Sequence, residues 1–537
     1  MSARPEGTAS RADSAANRSP LAGTNAGLAP QQAASWATSG PNSKLNSAPN
    51  AGNVVPETLE PSAEFRAALV ARSVAPLQTG GLPPVAADSG SSSAPGPAAA
   101  LPWARLTPPE VTRWLAVATG FCIPIATSPA EVLTGCFVLS WLVTERPWQR
   151  LGGTVPGQEP TGGEPAADVQ RQPAPSGWSQ IEWARVGTAL GWGSGVALAL
   201  FALLALGVGW STAGWERSVR CLLKYRELLL LPLFDQVFKE SVWRRRGANA
   251  FLAGCSVLLA MSCVEWLTQL DFGLERNNLP TNYVVTKDRI IHGLLMSLLT
   301  YLSVGAAWQR RDRWSWLLLG LAGCAVWNNV FLVQGRTGFL ALGALAVLWL
   351  ARQAGRRGVW LGCGLVLCGA VVAATLSPIV RARFDQTVGQ FRDQFGEQRQ
   401  RSIDPRLEFY RHTLTLIARH PVVGTGTGSF EPEYRALAQQ HGLPSVSEPH
   451  NEYLLLTVQL GLAGGLLFGL LLWSQWRQSR QLPDWEASLV QGAVLTLALG
   501  SLFNSLILSV TGGLFWSYLT GLGGAARHAN AEPKATS

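Results

Sequence analysis

The sequence predicts an all-α polytopic membrane protein with about twelve transmembrane helices and one large outer loop that contains short helices. Three observations carry that prediction. The chain has 537 residues, 47% of them hydrophobic but only 14% charged. Past residue 110, apolar runs recur, each roughly 15–25 residues long, which matches the apolar thickness of a bilayer. The short loops between these runs alternate between rich and poor in Lys and Arg, as expected of loops that alternate sides.

The elements follow in chain order. Residues 1–105 are rich in Ala, Ser, Pro, Gly and Asn and lack any apolar run. Such a segment buries too little to offset its ordering entropy, so a disordered cytoplasmic tail is expected. It has no apolar centre of a secretory signal peptide. Met1 is the only methionine before Met261, so an over-long start is a second reading of the same stretch.

Residues 106–376 hold nine expected spans, near 110–127, 130–143, 184–208, 225–238, 249–267, 290–308, 314–332, 336–351 and 358–376. A Gly-, Pro-, Glu- and Gln-rich linker at 145–183 interrupts them. Residues 377–451 form the large outer loop. Three more spans follow within 452–522, near 452–473, 486–505 and 506–522, and 523–537 is a cytoplasmic tail. Arg146 and Arg150, Arg244 to Arg246, Arg310 to Arg313, Arg352 to Arg357, and Arg477 with Arg480 mark the cytoplasmic side. Both termini then lie in the cytoplasm. Arg217, Arg220 and Lys224 dissent, because they fall in a short outer loop.

Within the outer loop, "DPRLEFYRHTLTLIARHP" reads as a helix. Leu407, Tyr410, Leu414 and Ile417 recur at helical spacing and Pro421 stops the run. "VVGTGTGSF" places Gly424, Gly426 and Gly428 in a pattern open to a phosphate cradle. No Lys-Ser/Thr follows and no strand precedes, so a turn packed close to the membrane is the favoured reading.

The net charge of +9 suits basic cytoplasmic loops. The arginines are scattered, which excludes a nucleic-acid stripe. The eight cysteines lie in or beside apolar runs without a CxxC pair and read as small buried hydrophobes. No Walker or Rossmann fingerprint is present.

Three arginines sit where charge is expensive. Arg289 opens a span, Arg336 lies in a glycine-bounded turn between Gly335 and Gly338, and Arg406 begins the loop helix. An interfacial anchor and a binding role both fit Arg289 and Arg336. The planar guanidinium is a natural partner for phosphate, and outward arginines around one cleft suit a diphosphate. Arg383, Arg401 and Arg411 are further loop arginines of that kind. His450 stands at the entrance to the tenth span in "EPHNEYLLLTVQLGLAGG". It reads either as a satisfied residue at a helix N-terminus or as an imidazole that takes a proton from a hydroxyl. Glu448 or Glu452 is placed to orient it. His412, His420, His441 and His450 match no zinc spacing.

"DRIIHGLLM", "GRTGFLAL", "RLEFYRHTLTLIARHPVVGTGTGSF" and above all "HNEYLLLTVQLGLAGG" give the chain its resemblance to a known family. Over roughly 110–522 it resembles the O-antigen ligase and O-antigen polymerase superfamily of bacterial inner-membrane, lipid-linked glycan transferases. The resemblance implies a helical membrane fold with a periplasmic active site. It implies a glycan donor on undecaprenyl diphosphate, a lipid A–core oligosaccharide acceptor in the ligases, and inverting chemistry without a metal or other cofactor. Related members polymerise O-antigen units or glycosylate protein. Arg336, Arg406 and His450 match the family's functional positions and are the implied catalytic residues. Arg289 matches a further family position less closely, and with Arg411, Asn451 and Glu452 it is expected to bind substrate. The expected partners are the lipid-linked donor, the acceptor and membrane lipids, with no nucleic acid. A ligase is favoured because one loop carries both Arg406 and His450. The 1–105 tail and the 145–183 insertion are unlike ordinary members. A polyisoprenoid-glycan flippase is the alternative from a different class. It would show ionisable residues near mid-membrane, for which Glu265 is the main candidate.

Overall fold

In the computed structural model, the described residues are 107–146, 191–270, 283–310, 312–333, 335–377, 405–441 and 444–527, with scattered positions between 380 and 389. The expected tail at 1–105, nearly all of the 145–183 linker, and Arg383 and Arg401 lie outside them, as do residues 528–537. The described residues are helical, without a strand.

The helices, in order, are α1 (Pro108–Ile125), α2 (Thr127–Glu145), α3 (Trp192–Gly207), α4 (Trp215–Lys224), α5 (Glu227–Val237), α6 (Ser241–Thr268) and α7 (Arg289–Arg310). They continue with α8 (Arg313–Trp327), α9 (Arg336–Leu376), α10 (Pro405–Arg419), α11 (Phe430–His441), α12 (Glu452–Ser479), α13 (Asp484–Gly500) and α14 (Val510–Gly524). Each expected apolar run contains a helical stretch. Among the described residues, 6 helices are long and apolar enough to cross a membrane: α3 with its 3₁₀ extension, α6, α7, α8 with its π-turn, α9 and α12. α5 is shorter than the expected span at 225–238, its 11 residues covering about 16 Å. It still runs the length of α14, with Glu227 against Gly513 near one end and Asp235 paired with Arg527 at the other.

α9 is a helical hairpin rather than one rod. Its backbone leaves helical geometry at Ala354 and at Gly355, where φ is +55°. A Cβ added to Gly362 would lie 2.8 Å from the Val347 Cα, so the second limb returns along the first. The two expected spans at 336–351 and 358–376 are these two limbs. Gly355 turns the chain because glycine adopts positive φ without a steric penalty.

α14 runs through the centre of the bundle. Phe515, Trp516, Tyr518 and Leu519 are fully buried. Tyr518 meets Phe234 edge-on at 5.1 Å and Phe238 at 5.5 Å, while Phe234 stacks on Phe137. A helix apolar all round is expected to be enclosed by others.

A second apolar cluster seats the loop helices on α12. Phe409 and Leu416 of α10 pack with Phe430, Tyr434 and Leu437 of α11 and with Leu455 and Val458 of α12. The expected period of α10 holds, and Tyr410 and Ile417 pack against the cluster as its spacing suggests. Leu407 and Leu414 face outward, while Phe409 and Leu416 point in. Phe409 decides this, because its ring meets Tyr434 edge-on at 6.1 Å. The dissenting basic loop is α4, a short helix with Trp215 75% exposed and Arg217 3.7 Å from Glu431. A short amphipathic helix of this kind is compatible with either face of a membrane, so its charges weigh little in the count of basic loops.

Candidate functional site

The glycine-rich segment after α10 is a strap on α12. Gly424, Gly426 and Gly428 all have positive φ. α12 breaks at Gly461, where φ is +67° and ψ −165°. The break leaves α12 carbonyls without their usual partners, and the strap supplies replacements. Thr425 N donates to the Val458 carbonyl at 2.9 Å and Gly426 N to that of Gln459 at 2.8 Å. Leu462 N donates in return to Pro421 O at 2.8 Å. Gly424 N bonds His420 O, Thr427 N bonds Gly207 O, Ser429 N bonds Gly426 O, and Gly428 N bonds the Gln459 side chain at 2.7 Å. Every backbone N–H from 424 to 429 therefore has a protein acceptor, and no donor is left for a phosphate. The packed-turn reading of the sequence is the one the geometry matches.

The strap and α10 together fix the start of α12. Asn451 caps it, its side-chain oxygen accepting from Leu454 N at 3.1 Å. The Asn451 amide donates to the Leu502 carbonyl at 3.1 Å. Glu452 N donates to Ser501 O at 2.9 Å. The Glu452 carboxylate is fully buried. It accepts from the Tyr225 hydroxyl at 3.1 Å, from Ile507 N at 3.0 Å and from Leu508 N at 3.4 Å. Asn451 and Glu452 thus spend these groups on the α13–α14 turn and on Tyr225. Both side chains therefore brace the start of α12.

His450 precedes this cap with φ +53°, a left-handed conformation that is uncommon for a side-chain-bearing residue. Its ring is about one-third exposed, with Nδ1 3.6 Å from the Glu448 carboxylate. Of the two acids expected to orient the imidazole, Glu448 is beside it and Glu452 faces the other way. Left-handed backbone costs roughly 1–2 kcal/mol, so it persists only where neighbours enforce it. The Tyr410 hydroxyl, on α10, lies 3.2 Å from the His450 carbonyl and 2.7 Å from that of Leu502. Arg406 is one turn before Tyr410 on the same face of α10. Arg411 is exposed and sits about 140° further round the helix, so α10 does not bring it to this face.

Arg289 and Arg336 form a second pair. Each is the first residue of its helix, α7 and α9. A Cβ on Gly335 would sit 3.0 Å from the Arg289 carbonyl, and one on Gly338 3.0 Å from the Gly293 Cα. Glycine at these points lets the two helix starts touch. Both guanidinium groups are thereby carried at positive helix-dipole ends, which favour an anion. Buried polar contacts brace this corner. His292 Nε2 lies 3.0 Å from Asn328 Oδ1, Asn328 donates to Ser262 Oγ at 2.8 Å, and Asn329 donates to Ser297 Oγ at 3.0 Å. Both asparagines begin the π-turn Asn328–Leu332.

The two pairs share one end of the bundle. α13 runs antiparallel to α7, with Gly500 against Leu294 and Gly492 against Tyr301. α12 runs antiparallel to α13, with Glu452 on Ser501 and the Tyr453 hydroxyl on Ala498 O. The starts of α7, α9 and α12 are therefore at the same end. Arg289, Arg336, Arg406 and His450 all stand there.

Sequence reasoning missed Tyr225, Tyr410 and Lys287. Tyr410 carried a usable signal, its spacing of one helical turn from Arg406. Lys287 is buried at the same end, its ammonium 2.8 Å from Thr127 Oγ1 and 3.1 Å from Thr511 Oγ1. Burial pushes the Cys221 thiol up to about 12, so it is no nucleophile at neutral pH. Among the described residues no three His, Cys, Asp or Glu side chains gather as a metal site. Glu265 lies three residues from the end of α6, near the edge rather than mid-helix.

Residues 321–469 match the family model described as O-Antigen ligase. The match spans Arg336, Arg406 and His450 and supports the resemblance to the O-antigen ligase superfamily. No curated protein matches the chain.

Proposed function

We propose that the chain is a glycosyltransferase of the O-antigen ligase type, acting at the outer face of the bacterial inner membrane. It transfers a glycan from undecaprenyl diphosphate to the lipid A–core oligosaccharide. The observation that carries this is the gathering of three arginines and His450 at one end of an apolar helical bundle, within or beside the family-matched region.

The chemistry follows from the residue types. An acceptor hydroxyl oxygen attacks the anomeric carbon while the bond from that carbon to the diphosphate oxygen breaks. Arg336 and Arg406 hold the diphosphate and stabilise its charge as it leaves. Arg289, beside Arg336, adds a third positive charge. His450 accepts the hydroxyl proton, and Glu448 beside Nδ1 stabilises the imidazolium. Attack opposite the leaving group inverts the anomeric centre. No nucleotide is used, because the donor already carries a diphosphate leaving group. No residue is assigned to a metal.

Purified protein incubated with lipid-linked glycan and lipid A–core oligosaccharide should yield core bearing a single transferred glycan. Longer glycan on the lipid carrier would identify a polymerase instead. Transfer to protein acceptors would identify a protein O-oligosaccharyltransferase, and movement of the donor across vesicles without transfer would identify a flippase.

The proposed topology has twelve passes, both termini in the cytoplasm and 377–451 in the periplasm. In a cysteine-free background, cysteine placed at Ser445 should react with an impermeant thiol reagent in spheroplasts, and cysteine placed at Arg480 should not. Both positions are exposed. The opposite labelling would reverse the orientation and remove the site from its donor.

A further inference from the structure

We infer that Tyr410 is a positioning residue for His450, acting through the backbone of the histidine and not on the substrate. The inference rests on the reading of His450 as the proton acceptor. The Tyr410 hydroxyl has one proton and faces two carbonyls, His450 O at 3.2 Å and Leu502 O at 2.7 Å. His450 needs such a tie, because its φ of +53° is not a conformation the residue holds unaided.

Three further contacts converge on the same few atoms. Leu502 O also accepts from the Asn451 amide at 3.1 Å, Glu452 N donates to Ser501 O at 2.9 Å, and Ile507 N donates to the Glu452 carboxylate at 3.0 Å. The α13–α14 turn thus forms a fixed surface, and the Tyr410 hydroxyl joins α10 to it by hydrogen bonding. Phe409, the preceding residue, is buried against Tyr434, which holds α10 at that depth. Arg406 is carried one turn away on the same helix face. One hydroxyl therefore sets the relation between the proton acceptor and a diphosphate-binding arginine. Proton transfer depends steeply on such geometry, whereas binding of the donor depends on the arginines.

The test is Tyr410→Phe in the full-length protein, alone and combined with His450→Ala. Alone, it should lower kcat about tenfold and leave the donor KM within about twofold. In the His450→Ala background the same change should cost nothing further, because the residue it positions is gone. Wild-type kcat in Tyr410→Phe, with His450→Ala impaired, would overturn the positioning role and leave the proposed function standing. An equal loss in both backgrounds would make Tyr410 a general structural tie and also overturn it. Full activity of His450→Ala would instead remove the premise. Should Tyr410→Phe fail to fold, 3-fluorotyrosine inserted at position 410 changes the hydroxyl as a donor and keeps its shape. That variant should shift kcat with donor KM unchanged, and an unchanged kcat would overturn the proposal.

Discussion

His450→Ala should reduce glycan transfer by about 10²–10⁴-fold, the range of a general base, while the protein still inserts and binds the lipid-linked donor. A lost helix-end hydrogen bond is worth only about 1 kcal/mol and would appear in folding, not in turnover. Alanine at a left-handed position adds strain of its own, so His450→Asn is the sharper variant. Asparagine tolerates positive φ and takes no proton near neutral pH. It should be as inactive as alanine and melt close to wild type. His420→Ala, an exposed histidine of the same loop, should be nearly silent. Chelators should leave activity intact. The readout is in vitro transfer, with melting of each variant measured alongside. Equal turnover of wild type and His450→Asn would make the histidine structural.

Arg336→Ala and Arg406→Ala should each cost about a hundredfold in kcat, or roughly 2–4 kcal/mol of transition-state stabilisation. Arg336→Lys keeps the charge and loses the planar fork, so it should fall between alanine and wild type. Its position sharpens this. Arg336 opens α9 beside the start of α7, and the lysine ammonium cannot reproduce two parallel hydrogen bonds from that point. Single-turnover assays at saturating donor separate a binding loss from a chemical one. Two stable, fully active alanine variants would end the diphosphate reading.

Helix positions were legible because apolar runs of bilayer length leave few other options. Both limbs of α9 are apolar and are divided at "RQAGRRG", and both are where the hydropathy placed them. The inward face of α10 was only half legible, through Tyr410 and Ile417. Leu407 and Leu414 look like a core stripe, but lipid or an interface accepts exposed leucine, and hydropathy cannot tell a core from a bilayer. The shortness of α5 was hidden too, since hydropathy marks an apolar run without fixing where its helix starts and stops. The identities of Arg336, Arg406 and His450 were readable as residue types in costly places. Their common end was readable too, from the alternation of basic and poor loops, but the touching starts of α7 and α9 that pair Arg289 with Arg336 were not. The protein partners of Asn451 and Glu452 were not legible, since the α13–α14 turn that they bond is distant in sequence.

The strap on α12 also sets an order of assembly. Residues 421–429 leave the ribosome before α12 does, and α3, which supplies Gly207 O, leaves earlier still. When α12 enters the bilayer, the carbonyls at its break have no water to turn to, and each unsatisfied group in lipid costs several kcal/mol. The strap must therefore already be waiting when the helix arrives. The 377–451 segment is then no graftable cassette. A chimaera that exchanges 377–451 between two such proteins needs Gly461 and the end of α3 to travel with it, or the broken helix is left open to lipid.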